Sequence, residues 1–326
     1  MGIDHSTGGS LLLVSSAGGH LEELLRISQR FAKPGQVIEW VTPFSSQSAS
    51  LLADDVVHTV PYVGPRDLKM VSRQFFKAIQ MLGTGRYVAV ISTGAAIAVP
   101  YLTAARILNI PTHYIESAAR SLTPSLTGRI VQHLPGIKLY TQYEAWSSRK
   151  WQFQGSVFDG FRAEALPGTV RCRRVVVTLG TMQNYGFRRA VEAVLRVLAQ
   201  LPEPPEEVLW QTGCTDLSGL PVQGRITVPS TELAAAIAQA DLVIAHAGVG
   251  SALAALMTGR TPILIPRQAR HGEHVDDHQL MIARHLAERG LAICKNPENL
   301  RLADVQLAMS SRVIESRDTQ AFVLAP

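Results

Sequence analysis

Residues 11–21, LLLVSSAGGHL, and residues 242–251, LVIAHAGVGS, share one plan: an apolar run of strand length, a glycine turn, then the start of a helix. Strand, turn and helix in that order are the building unit of parallel α/β architecture. Working outward from the first stretch, strand-like runs alternate with helical stretches over Leu11–Ser16, Val37–Thr42, Val57–Val60, Tyr87–Ser92, Thr112–Glu116 and Ile137–Tyr140. The segment Gly155 to Arg173 has no clear period, and a second series follows it at Arg174–Leu179, Val208–Gln211, Arg225–Val228, Leu242–Ala245, Thr261–Ile265 and Leu291–Cys294. The expected fold is therefore α/β, with two Rossmann-like doubly wound domains, 1–165 and 166–326. Ligands are expected in a central cleft at the carboxyl ends of the two sheets.

The chain has 326 residues, of which 46% are hydrophobic and 17% charged, enough for two ordinary cores and unlike a disordered or fibrous sequence. Cys172, Cys214 and Cys294 lie far apart, with neither metal-site spacing nor the even count of a disulfide framework, and read as thiols in a reducing compartment. The start, MGIDHSTGGS, lacks the basic and apolar regions of a secretory signal and reads as a short disordered leader. The longest apolar run, Gly94 to Leu108, contains Pro100 and Arg106 and is too short to span a bilayer, so a soluble or peripheral protein is expected. A net charge of +5 and a pI near 9.3 call for an anionic partner, which nucleic acid, an acidic membrane or a charged small substrate would each satisfy. No aromatic-lined basic face argues for nucleic acid. From Arg66 to Arg86, cations alternate with Leu68, Phe75, Phe76 and Leu82; such a helix can lie on anionic lipid or be an ordinary surface helix.

Four places carry candidate chemistry. Gly18 and Gly19 let a backbone approach a ligand, and His20 has the imidazole for a general base, although a helix-capping loop with an incidental histidine would read the same. Gly248, Val249, Gly250 and Ser251 open a helix after His246, a setting that grips a diphosphate through N–H groups and the helix dipole; the third glycine of the dinucleotide fingerprint is absent. Gly180 and Thr181 end the first strand of the second domain and could form an opposite wall. The segment Arg267-Gln268-Ala269-Arg270-His271-Gly272-Glu273-His274-Val275-Asp276-Asp277-His278-Gln279 follows a strand and leads into a helix. Its histidines suggest a metal, with His274 and His278 four apart, but H-E-x-x-H is absent and no metal is expected; plain solvation of a helix start is the competing reading.

The first half, with SSAGGHLEELL, ISTGA at 91–95 and YIESAAR at 114–120, resembles the membrane-docking subunit of the dolichol-pathway N-acetylglucosaminyltransferase and its bacterial relatives. The second half, with TLGT at 178–181, HAGVGS and PRQARHGEHVDDHQ, resembles the UDP-sugar-binding domain of family 28 glycosyltransferases, and its last motif is most similar to bacterial exopolysaccharide enzymes, including sphingan glucuronosyltransferases. The resemblance implies an inverting GT-B transferase without cofactor or bound metal. HAGVGS would hold the UDP phosphates, with Arg267, Glu273, His274, Asp277, His278 and Gln279 on the donor side. Gly18, Gly19, Thr93 and Gly94 would lie on the acceptor side, and His20, or failing it Glu116, would be the base. Relatives commonly carry a ribose-binding glutamate where this chain has Ala254.

Expected partners are a UDP-sugar, a lipid-linked saccharide and an anionic membrane surface, with no nucleic acid, in a cytoplasmic protein peripheral on the inner face of the plasma membrane. Arg267 and Arg270 suggest UDP-glucuronate as donor through bidentate carboxylate pairing, although they would serve phosphate equally. Galactose, glucose and N-acetylglucosamine stay open. A UDP-sugar 2-epimerase and a non-catalytic nucleotide-sugar sensor or scaffold are the readings from other classes.

Overall fold

The structure is a computed structural model that describes residues 9–64, 67–167, 171–182, 184–316 and 319–325. Residues 1–8 of the expected leader and Arg66 of the basic segment lie outside the described residues. The chain forms two compact units, Met1–Asp159 with Gln320–Pro326, and Gly160–Thr319.

In the first unit the order is β1 (Ser10–Ser15), α1 (Gly19–Phe31), β2 (Ile38–Pro43), α2 (Ser46–Leu51), β3 (Val56–Val60), α3 (Leu68–Leu82), β4 (Tyr87–Gly94), α4 (Ala98–Ile107), β5 (Thr112–Ile115), α5 (Leu126–Val131), β6 (Lys138–Thr141) and β7 (Trp151–Phe153). The strands form one sheet, β3-β2-β1-β4-β5-β6-β7, whose pairs are all parallel. A parallel sheet is covered on both faces, which is why β1 reads as a continuous apolar run instead of an alternation. Leu12, Val14, Val41 and Val90 pack with Ala78 and Leu82 of α3 and Tyr101 and Leu102 of α4. Each such side chain, when fully buried, contributes about 1.5–3 kcal/mol of transfer free energy.

The second unit runs β8 (Phe161–Ala165), β9 (Arg174–Thr178), α6 (Arg188–Leu198), β10 (Glu207–Gln211), α7 (Ser230–Gln239), β11 (Leu242–His246), α8 (Val249–Met257), β12 (Ile263–Ile265), α9 (His278–Glu288), β13 (Ile293–Cys294), α10 (Leu302–Met309) and β14 (Ser311–Glu315). Its parallel sheet has the order β10-β9-β11-β12-β13, and β8 pairs antiparallel with β14. One face packs Val175, Val177 and Ile244 on Val191 and Val194 of α6 and Val305 of α10. The other packs Val176 and Val243 on Ile237 of α7 and Ala255 of α8.

Both orders contain a point where the winding direction reverses, at β1/β4 in the first sheet and β9/β11 in the second. In doubly wound sheets the carboxyl ends of the strands flanking that point are where ligands bind. The glycine turns singled out from the sequence follow β1, β4, β9 and β11.

Three expectations need correction. The boundary falls before residue 160, not between 165 and 166, because residues 161–165 form β8 and pair with β14. The chain also returns to the first unit at 320, where Phe322 is buried beside the rings of Phe31 and Tyr140. Arg225–Val228 is not a strand: it makes a single bridge, Gln211 to Arg225, and the Val228 N–H is taken by the Gln211 side chain at 2.9 Å.

Candidate functional site

In the first unit, the turn after β1 reaches α1 through Gly18, whose φ of 87° is a conformation that favours glycine. Its N–H donates to Gln47 Oε1 at 2.7 Å, and Gln47 Nε2 donates to Glu22 Oε1 at 2.6 Å. Thr93 Oγ1 donates to the His20 carbonyl at 2.8 Å, so the end of β4 fastens the turn through its backbone. A Cβ at Gly94, which has φ of 105°, would lie 3.3 Å from His20 Cε1 and 3.5 Å from the Tyr114 hydroxyl. Gly18, Gly19, His20, Thr93 and Gly94 thus lie together, with the imidazole against the bare backbone of β4.

Glu116 occupies another role. It is buried and accepts from Ser125 N (2.9 Å), Ser125 Oγ (3.1 Å), Ser117 N (3.1 Å) and the Tyr114 hydroxyl (3.2 Å). Four donors occupy both oxygens, so the carboxyl fastens the loop after β5, which makes it a poor base. Glu23, also buried, ties the same region by accepting from Ser117 Oγ, Ala118 N and Gln142 Nε2 at 2.7–2.8 Å.

In the second unit, His246 ends β11 with its imidazole enclosed by two glycines. A Cβ at Gly180, where φ is 85°, would lie 3.1 Å from His246 Cε1 and Nε2, and one at Gly248 would lie 2.5 Å from Nε2. Nδ1 sits 3.3 Å from Ser251 Oγ and 3.4 Å from the Thr178 carbonyl. Burial and the nearby Arg267 guanidinium lower its pKa to about 3, so the ring is neutral at physiological pH. Gly248 begins α8 without a side-chain cap, leaving the helix N-terminus and the N–H groups of Val249 and Gly250 to a ligand. Thr181, which follows Gly180, is exposed.

The polar segment 267–279 differs from expectation. Arg267 is buried over the Phe187 ring and donates to the carbonyls of Leu179 (2.7 Å), Tyr185 (2.7 Å), Glu273 (3.1 Å) and Gly186 (3.3 Å). Glu273 is buried in a two-point pair with Arg189 at 2.8 and 2.9 Å. Gln279 accepts from Arg267 N at 3.1 Å, and Asp277 accepts from Ala269 N at 2.8 Å. Arg267 thus ties this loop to residues 179–186, Glu273 ties it to α6, and Gln279 and Asp277 hold the loop's own N–H groups. His274 and His278 remain half-buried at its surface, edge to face with centroids 4.6 Å apart. Reasoning from sequence also missed Gln47 and Tyr185, which stacks on His274 at 6.0 Å. Gln47 lies within the Ser45–Ser48 capping box, a signal for the helix start but not for its reach to Gly18.

Residues 174–322 match the profile of the glycosyltransferase family 28 C-terminal domain. Over 330 aligned positions the chain is 27% identical to the UDP-N-acetylglucosamine--N-acetylmuramyl-(pentapeptide) pyrophosphoryl-undecaprenol N-acetylglucosamine transferase of Dichelobacter nodosus (strain VCS1703A), covering 93% of this chain and 88% of that one. Among solved structures, MurG of Acinetobacter baumannii superposes with a TM-score of 0.58 at 18% identity, covering 91% of this chain and 88% of that one. The UDP-GlcNAc 2-epimerase of Methanocaldococcus jannaschii superposes with a TM-score of 0.57 at 10% identity, over 91% and 94% of the two chains. These likenesses show the α/β GT-B fold; the epimerase shows that the fold alone does not choose the reaction.

The titrating groups of the two units give stability of opposite pH dependence. Burial raises Glu22 and Glu23 to about 7, so their contribution is full below the ordinary carboxylate pKa and is lost as pH rises through 7. His113, lowered to about 4 by burial, offsets part of this. His246 works the other way: only the unfolded chain takes its proton below about 6.5, so stability falls as pH drops from there towards 3. Between pH 7 and 5, hydrogen exchange corrected for intrinsic rate should slow in residues 10–31 and quicken in residues 242–257, and His246→Gln should flatten only the second change.

Proposed function

We propose that this chain, a UDP-sugar-dependent glycosyltransferase of the GT-B fold, moves N-acetylglucosamine from UDP-N-acetylglucosamine to a lipid-diphosphate-linked saccharide, inverting the anomeric centre without a metal ion. The observation that carries the reading is the uncapped start of α8 beside the Gly180–His246–Gly248 packing, at the switch point of a unit that matches the family 28 domain. A helix N-terminus holds about half a positive charge, which suits a bound diphosphate and the negative charge that grows as UDP departs. Ala254 on α8 packs with the Val176 and Ile237 cluster and offers a ribose no polar group.

In the reaction, His20 takes the proton of the acceptor hydroxyl as its oxygen bonds to the anomeric carbon. The bond from that carbon to the diphosphate oxygen breaks, and UDP leaves with the electron pair. Glucuronate as the transferred sugar has less support, because Arg267 is buried with Nη1 and Nη2 donating to four carbonyls, which leaves the exposed Arg270 as the carboxylate partner. The relatives' named donor, UDP-N-acetylglucosamine, takes its place. The test is UDP release in EDTA from a panel of UDP-sugars, with and without a lipid-diphosphate saccharide. Release with UDP-N-acetylglucosamine that depends on acceptor supports the proposal, and a preference for UDP-glucuronate or UDP-galactose sinks the donor assignment.

The membrane-facing surface proposed for the first unit is the outer face of α3. Leu68 and Phe76 are 79% and 69% exposed there, among the exposed cations Lys69, Arg73 and Lys77. Leu126 and Ile130 of α5 are exposed too, and α3 and α5 both pack on α4. Among the described residues no helix is long and apolar enough to cross a membrane, and an exposed basic and apolar helix face suits binding at the surface of an anionic leaflet. At about 1 kcal/mol per cation near an anionic surface, replacing Lys69, Arg73 and Lys77 with glutamine should weaken binding to phosphatidylglycerol vesicles on the order of 100-fold. Unchanged vesicle sedimentation would move the docking face elsewhere.

A further inference from the structure

We propose that His274, Asp276 and His278 form a capture site for a late first-row transition metal such as Zn²⁺, and that its occupancy blocks the donor loop. The reaction needs no metal; the site makes the enzyme metal-inhibited. The blocking step rests on reading this loop as the donor side, whereas metal binding does not.

One ligand atom from each of the three residues lies within 4.8 Å of the other two, and all three residues are partly exposed. Both imidazoles turn Nδ1 towards Asp276 Oδ1: His274 Nδ1 lies 3.4 Å away, and His278 Nδ1 hydrogen-bonds to the same oxygen. His274 Nδ1 accepts the Asp276 backbone N–H at 3.4 Å, so this nitrogen carries a lone pair and no proton, and a metal would take that lone pair over from a long contact. In a tetrahedral zinc site with bonds near 2.0 Å, neighbouring ligand atoms stand about 3.3 Å apart, so small side-chain rotations close this cluster around an ion. A metal would displace the proton shared by His278 and Asp276, completing a set of two imidazoles and one carboxylate.

The neighbours fix these side chains without competing for the ion. Tyr185 stacks on His274 with planes 23° apart, and the other acid of the pair, Asp277, is engaged by Ala269 N. Two imidazoles with one carboxylate suit Zn²⁺, Cu²⁺, Ni²⁺ and Co²⁺ over Mg²⁺ or Ca²⁺, whose preferred ligands are all oxygen. Three protein ligands leave a fourth position for water or for a ligand oxygen.

The test uses the full chain, stripped with EDTA, dialysed and titrated with Co²⁺ while visible absorption is followed, then with Zn²⁺ against a chromogenic chelator. One equivalent with a tetrahedral Co²⁺ spectrum is expected. His274→Ala and His278→Ala should each weaken Zn²⁺ binding on the order of 100-fold, while His271→Ala, exposed on the preceding turn, should leave it unchanged. Circular dichroism checks that the variants fold. Absence of the spectrum, or wild-type affinity in His274→Ala, overturns the site. UDP-N-acetylglucosamine binding by calorimetry, with and without Zn²⁺, separates the two halves. Weaker donor binding with Zn²⁺ supports blocking, unchanged binding overturns that step alone, and no donor binding to the metal-free protein overturns the donor reading instead.

Discussion

Replacing His20 by alanine lowers kcat on the order of 100- to 10,000-fold, the usual contribution of a positioned general base, while the melting temperature and the KM for donor stay near wild type. The separation follows from how the turn is held. Thr93 bonds to the His20 carbonyl and Gln47 to the Gly18 N–H, both backbone groups that survive the substitution. The ring itself rests on the bare Gly94 backbone, so removing it takes away an imidazole without opening the sheet. Glu116→Gln gives the contrasting pattern. An amide nitrogen would replace an oxygen that now accepts from Ser117 N or Ser125 N, so about 1–3 kcal/mol of stability is lost through an unmet buried donor. A His20→Ala enzyme with wild-type turnover removes that histidine from the chemistry, and a Glu116→Gln enzyme of normal stability but no activity returns Glu116 to it.

Gly248→Ala has the second large effect, on donor binding. The added methyl would lie 2.5 Å from His246 Nε2, and the ring cannot step aside because Gly180 lies on another side and Ser251 and Thr178 hold Nδ1. The turn must shift instead, carrying the start of α8 with it. Overpacking of this kind costs about 1–3 kcal/mol, and an ångström of misplacement at a binding loop costs on the order of 100-fold in kcat/KM. The double variant Gly248→Ala/His246→Ala relieves the clash, so it should be more stable than Gly248→Ala alone, a coupling expected of residues in contact. Additive losses in stability would show that the imidazole is not what makes Gly248 necessary.

The framework was legible because buried parallel strands must be apolar along their whole length. Leu11–Val14, Val175–Val177 and Leu242–Ala245 carry that mark, and glycine turns follow them at both switch points. The β8–β14 pair was not, because FRAEA and SRVIE are half-polar five-residue strands whose pairing, Phe161 with Glu315, spans a long loop closure that no local pattern announces. Arg225–Val228 shows the opposite error: β-branched residues suggested a strand, yet the exposed Ile226 and the Gln211 side-chain bond to Val228 N show an irregular segment.

Polar residues were read least well. Composition places Arg267, Glu273 and Gln279 at a sheet's carboxyl end, and a ligand-binding side chain looks the same in sequence as one that satisfies a buried loop's carbonyls and N–H groups. Since buried backbone groups must find partners, Arg267, packed over Phe187, goes to the carbonyls of Leu179, Tyr185, Gly186 and Glu273. His246 is the last residue of β11, just before the turn, and the two glycines that enclose its ring are a matter of three-dimensional approach, visible only in the fold.

The most direct measurement of the central claim is the product of a reaction run in EDTA with UDP-N-acetylglucosamine and a lipid-diphosphate saccharide, analysed by mass spectrometry and NMR. The account expects the acceptor lengthened by one N-acetylhexosamine in the β configuration, inverted from the α-linked donor. Epimerised nucleotide sugar formed without acceptor, or an α-linked product, would contradict it.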